Sequence, residues 1–215
     1  KALATGYNPT FAASNLPLDI GHLFLANGEV YSSIVPRFAA QVTVDLKQTM
    51  GQAWSKSGPL YEAFVKEGGG LTFLTTYGQI QSKLGQTLKP LGYLGEFTEA
   101  WTRLAHMNRA LKAGKSVTEA AHLARTRIDY SQGGGVVKAL DNVFPYLSAA
   151  TQAVRGVTSK AAERPGLFTW KVCQLGALSA GLYYANALGN PECWAQVPSK
   201  IRQNYWVFTT PWSYL

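Results

Sequence analysis

Apolar residues recur every three or four positions along most of this chain, the period of helices packed on one side. Pro17 followed by Leu18, Ile20, Leu23 and Phe24 predicts a short helix closed by Asn27-Gly28, a pair that accepts the left-handed conformation at a helix end. From Pro36 the spacing predicts a longer helix, with Phe38, Val42, Leu46 and Met50 inward and Arg37, Gln41, Gln48 and Gln52 outward. Its Val42-Thr43-Val44 run is β-branched and lowers helix propensity, which packing overrides. Ser57-Gly58-Pro59 breaks the chain, and PLYEAFVKE makes about two turns before Gly68-Gly69-Gly70, read as a flexible joint. Between Leu71 and Pro90, Thr and Gly interrupt the pattern. A helix over about 75–88 is expected there, with strand as the alternative. Residues 95–114 are the clearest element. Leu94, Phe97, Trp101, Leu104, Asn108 and Leu111 step by three and four, Glu96 and Glu99 favour its start, and Arg109 and Lys112 favour its end before Gly114. Asn108 either hydrogen-bonds inside the fold, the stronger reading, or fixes register against a partner helix.

Ser116-Val117-Thr118-Glu119 is a capping box, so a helix should run to about Asp129, followed by a flexible turn at Ser131-Gln132-Gly133-Gly134-Gly135. A helix entered at Pro145 places Tyr146, Ala150, Ala153 and Val157 on one stripe and Ser148, Thr151, Gln152 and Arg155 on the other. A solvated face usually carries several Lys and Glu, and neutral hydrogen-bonding groups suit a second protein surface. Residues 167–188 span roughly 33 Å as a helix, enough to cross a hydrocarbon core. Small residues at Gly176 and Ala180, and at Ala177 and Gly181, would admit a second helix. Lys171, Gln174 and Asn186 count against lipid, so a buried core helix is preferred to a membrane-inserting one. After Asn190-Pro191 helical periodicity fades, and NYWVFTTPWSYL reads as an extended aromatic arm with Tyr205 and Trp206 at an interface. Near-continuous helices with short turns predict an all-α, multi-helix bundle. The 215 residues form one helical domain or a segment of a longer polypeptide, with room for a sub-boundary near residues 90–95 between a neutral half, 1–92, and a basic half, 93–215.

Composition changes this picture in two ways. At 47% hydrophobic and 15% charged, disorder throughout is excluded and much of the surface is expected to be covered by neighbouring chains or lipid. Residues 1–100 hold seven of the 20 Lys and Arg and seven of the 12 Asp and Glu, so the whole net charge of +8 falls in the second half. It is densest at Arg103, Arg109, Lys112, Lys115, Arg125 and Arg127, a run that would attract the phosphates of nucleic acid or lipid headgroups, or stand as a solvated basic face.

Catalytic patterns are not found. His22, His106 and His122 sit in no nucleophile elbow, HExxH helix or Cys-His arrangement, and the last two read as surface histidines on helices. The triple glycines lack the Lys-Ser/Thr of a P-loop, and the carboxylates are scattered. Cys173 and Cys193 show no metal-ligand spacing and read as buried free thiols. No cofactor and no metal is expected. No secretory leader is visible.

Three blocks carry a family resemblance: GYNPTFAASNLPLDI, RTRIDYSQGGGVVKALDNVFPYLSAATQAVRG and IRQNYWVFTTPW. In order and wording they resemble the large polyvalent protein-associated domains found in very long polypeptides of tailed bacteriophages. The PYLSAATQAVRG block is similar to that family's PFxNAxxQG phrase, with Ser148 where Asn is usual. The resemblance implies a non-catalytic, virion-associated structural module of an ejection or internal virion protein. Its place would be inside the capsid or tail, then the host envelope or cytoplasm. The implied partners are other domains of the same polypeptide, other virion proteins in an oligomeric assembly, and, as further candidates, DNA and the host membrane. A membrane-inserting channel segment and an accessory domain of a giant virion-packaged enzyme, such as an RNA polymerase, remain the alternatives.

Overall fold

Proline and glycine decide where most of the helices begin and end. In the computed structural model, residues 9–26, 30–69, 83–125, 147–204 and 206–208 are described, with side chains except those of 9–15, 83–92, 147–153 and 204. Among the described residues all regular structure is helical and there is no strand, so the chain is all-α. Helix α1 runs from Pro9 to Ala26, through Pro17, and so starts earlier than the pattern after Pro17 predicts. Helix α2, Val35–Ser55, has Pro36 in its first turn, where the missing N–H costs nothing, and ends at Lys56 in the left-handed region at φ 51°. Helix α3, Pro59–Lys66, starts on Pro59 and closes on glycine: Gly68 takes φ 82° and the Gly69 N–H donates to the Phe64 carbonyl at 2.8 Å. Gly68-Gly69 is therefore a helix cap, not a loose joint, and Gly69 packs so closely on the Phe64 ring that a Cβ would collide with it. Gly70 and the Gly133–Gly135 turn lie outside the described residues.

Helix α4, Lys83–Lys112, is a single element of 30 residues that passes through Pro90. The residues near the expected sub-boundary, 90–95, lie inside it. It ends where the sequence predicts, with Gly114 at φ 82° and the Lys115 N–H donating to Ala110 O at 3.1 Å. Helix α5, Val117–Arg125, is opened by the expected capping box: the Ser116 N–H donates to Glu119 Oε2 at 3.1 Å and the Glu119 N–H to Ser116 Oγ at 3.2 Å. Helix α6 is Leu147–Glu163. Arg164 separates it from Pro165, whose ring disfavours helical geometry in the residue before it. Helix α7 is Pro165–Gly189, α8 Pro191–Gln196 and α9 Ser199–Asn204. The two short helices replace the loss of helicity expected after Asn190-Pro191. Asn190 caps α8 by accepting from the Cys193 N–H, and Pro191 is its first residue.

The contacts divide the chain into two compact units, Lys1–Pro165 and Gly166–Leu215. In the first, α1, α2, α3 and α5 all pack on α4, and α6 packs on α1. Helix α4 is buried nearly all round between Ala100 and Met107, as a helix with partners on several sides must be. Phe97, Leu104, Met107 and Ala110 meet Ala53, Phe64, Ala120, Ala121 and Ala124 in one core. The alanines of α5 bring the helices close. Beside this core, Phe38 packs tilted against Phe24 and edge-on against Tyr31, with centroids 5.0 and 5.3 Å apart. Two long-range bonds end on backbone: Trp101 Nε1 of α4 donates to Leu46 O of α2 at 2.6 Å, and the hydroxyl of Tyr31, which precedes α2, donates to Ala105 O of α4 at 3.2 Å. Met50, expected inward, is 46% exposed, because the buried stripe of α2 runs Phe38, Val42, Asp45, Leu46, Thr49 and Ala53.

Candidate functional site

The basic run of the second half is largely engaged within the first unit. Asp45 has no exposed side-chain surface, and three side chains of α4 converge on it. Arg109 Nε donates to Oδ2 at 2.7 Å, and Lys112 Nζ and Asn108 Nδ2 donate to Oδ1 at 2.7 and 3.0 Å. Gln48 accepts from both Asn108, at 3.1 Å, and Lys112. Arg109 also donates to Gln41 O at 3.3 Å and lies 5.3 Å from the Tyr31 ring centre. A carboxylate cut off from water must be compensated, and two cations with an amide do so here. A phosphate binding Arg109 or Lys112 would have to compete with Asp45.

The remaining members are dispersed. Arg103 is 8% exposed and pairs with Glu99 one turn back on α4. Arg125 donates to the Glu67 carbonyl at 3.0 Å, tying α5 to the end of α3. Lys115 is half-buried beside the capping box, and Arg127 lies outside the described residues. Asp45 itself was missed at the sequence level. Its signal is an acidic residue on the apolar stripe of α2, between Val42 and Leu46.

Of the neutral face of α6, the side chains of Ser148, Thr151 and Gln152 lie outside the described residues, and Arg155 is exposed. Gly156 is on the inner side, where a Cβ would sit 3.3 Å from the His22 ring. Tyr205 lies outside the described residues.

Helix α7 inverts the expected burial. Among its 25 residues the single charge is Lys171, and Lys171 and Asn186 are its buried residues. Its apolar groups point outward: Trp170, Ala177, Gly181, Tyr184 and Leu188 form an exposed row at spacings of seven, four, three and four, with Leu188 80% exposed. The expected core helix is therefore a surface helix with an apolar face. Among the described residues no helix is long and apolar enough to cross a membrane.

Histidine and cysteine also differ from expectation. His106 is buried, its ring 6.0 Å from that of Tyr31, while His122 is exposed. Cys173 is exposed on α7 and Cys193 is half-buried. Asp19, His22, Glu99, Arg103 and His106 border a cavity of about 30 Å³ in the first unit, the size of one water. No three His, Cys, Asp or Glu side chains among the described residues are grouped to share a metal ion. Comparison with protein-family models, with curated proteins and with solved structures finds no match to this chain.

Proposed function

We propose that the chain is a non-catalytic structural module that packs on neighbouring protein through the outward face of α7. The neighbours are domains of the same long polypeptide and other proteins of a phage virion that delivers the genome to the host. One observation carries the protein-packing role: a 25-residue surface helix whose outward row is apolar and whose only charge is buried. Uncharged apolar faces of this kind mark protein contacts, and Ala177 and Gly181 at its centre admit a second helix closely. The resemblance of three sequence blocks to the polyvalent-protein domains of tailed phages supports the virion setting.

Phosphate contact through Arg103, Arg109, Lys112 and Arg125 is the less favoured part of this reading, since each is engaged inside the fold. The test is association of the chain with its flanking polypeptide segments, measured by co-purification and light scattering. Gly181→Arg and Leu188→Glu are each expected to weaken it more than about tenfold, by placing a charge at a desolvated contact, with circular dichroism unchanged. Association equal to wild type in both variants would refute the role of this face.

A further inference from the structure

The second unit holds an open cleft of about 490 Å³ bordered by α7, α8, α9 and residues 206–207, within the range of small-ligand sites. Its walls are held by bonds within the unit. Asn186 Nδ2 donates to Val207 O and to Leu182 O, both at 2.8 Å, fastening the terminal segment to α7. Trp206 Nε1 donates to Ser179 Oγ at 2.9 Å, which fixes the indole, yet Trp206 stays 54% exposed. Tyr183 stands edge-on to Trp194, centroids 5.1 Å apart at 90°, and to Tyr184, which is 63% exposed. The Arg202 guanidinium lies over Trp194, 5.7 Å from the ring centre, and has no carboxylate partner among the described residues. No acidic residue lines the cleft among the described residues.

We propose that this cleft binds a nucleobase together with its adjoining phosphate, as a single strand of nucleic acid or a free nucleotide presents them. Exposed rings held in place by hydrogen bonds or packing offer stacking surfaces that lose little side-chain freedom on binding, and every base has a face to stack. Arg202, stacked on Trp194 and without a carboxylate partner among the described residues, supplies planar donors for phosphate, and Gln203 brings an amide to the rim that can both donate and accept. A described lining that holds Arg202 and no carboxylate favours an anionic ligand. An extended peptide fits less well, because it needs a row of donors and acceptors, and Trp206 Nε1 and Asn186 Nδ2 are already engaged. This site shares Tyr184 with the protein contact proposed above but differs from it in chemistry, and because Trp206 and Arg202 lie outside that row, either can fail without the other.

Fluorescence anisotropy of a labelled short oligothymidylate with the full chain tests it. Trp206→Ala and Tyr184→Ala are each expected to weaken binding about tenfold or more. Arg202→Gln should flatten the dependence of log affinity on log salt by about 0.7. Arg37→Gln, at an exposed position on α2, should leave affinity unchanged. Trp206→Phe keeps a stacking ring without the Ser179 bond and is expected to stay within about threefold of wild type, which separates stacking from damage to the fold. Thymidine monophosphate as competitor distinguishes the sources: displacement points to a free nucleotide, no displacement to a strand, and both support the site. No binding at low salt, equal affinity in the Trp206, Tyr184 and Arg202 variants, tighter binding of duplex DNA, or displacement by a proline-rich peptide would overturn it.

Discussion

Asp45 shows how a single residue can set the register of two helices. Its carboxylate can meet Arg109, Lys112 and Asn108 together only if α2 and α4 pack in one axial alignment, since those three lie on one face of α4. Removing the acid leaves two cations facing an uncompensated interior. Asp45→Ala is therefore expected to cost about 3 kcal/mol in urea unfolding. Lys112→Met, at a side chain 40% exposed, should cost less than about 1 kcal/mol, because Arg109 and Asn108 still hold the carboxylate. If the two variants cost the same, charge compensation at Asp45 is not what aligns the helices. Glu119 gives a second residue-level expectation. Bonds from the Ser116 backbone and hydroxyl, and then the charge of Lys115, hold its carboxyl below the ordinary glutamate range. Because the folded value is depressed, the stabilisation it brings is present above the unfolded value and is lost as pH falls through the folded one. Glu119→Gln should thus be less stable than wild type at neutral pH and converge with it in acid, read from the urea midpoint at each pH.

At the level of elements, legibility followed how local the signal was. The proline starts of α2 and α3, the capping box of α5 and the glycine ending α4 were readable because two or three adjacent residues determine each one, whereas the glycine cap of α3 read as a loose joint. The continuity of α4 was hidden, since Pro90 and the surrounding glycines imitate a break between the two helices expected over about 75–88 and 95–114. Helices α8 and α9 are too short for periodicity to register, although Asn190-Pro191 carried an N-cap and a first-turn proline. Asp45 was missed because a charge is assumed to face water unless its partners, more than 60 residues away, are known. Helix α7 misled in the opposite sense: its apolar content suggested a buried position, but hydrophobicity measures the wish for a partner and not whether the same chain provides it. That difference is testable at Cys173, which sits on α7 and is exposed. In the native chain it should react with a thiol reagent at close to the rate of the unfolded protein, with half-buried Cys193 slower. Protection of Cys173 in the isolated chain would mean that α7 is already covered.

For the whole molecule, the net charge of +8 overstates what is offered to a polyanion. Several of the cations that create it are engaged in the first unit, while the second carries only Lys171, Glu192, Lys200 and Arg202. The aromatic cleft with Arg202 lies in that sparsely charged unit. The two units also have different cores: α4 buries aromatic and aliphatic groups on several sides, whereas the second unit buries Trp194, Lys171 and Asn186. Arg164, exposed between them, is followed by Pro165. Trypsin does not cut an arginyl-prolyl bond, so its site nearest the junction is the partly exposed Lys160. A glutamate-specific protease meets the exposed Glu163 one residue earlier and is expected to separate the two units closer to Pro165 than trypsin does by cutting after Lys160.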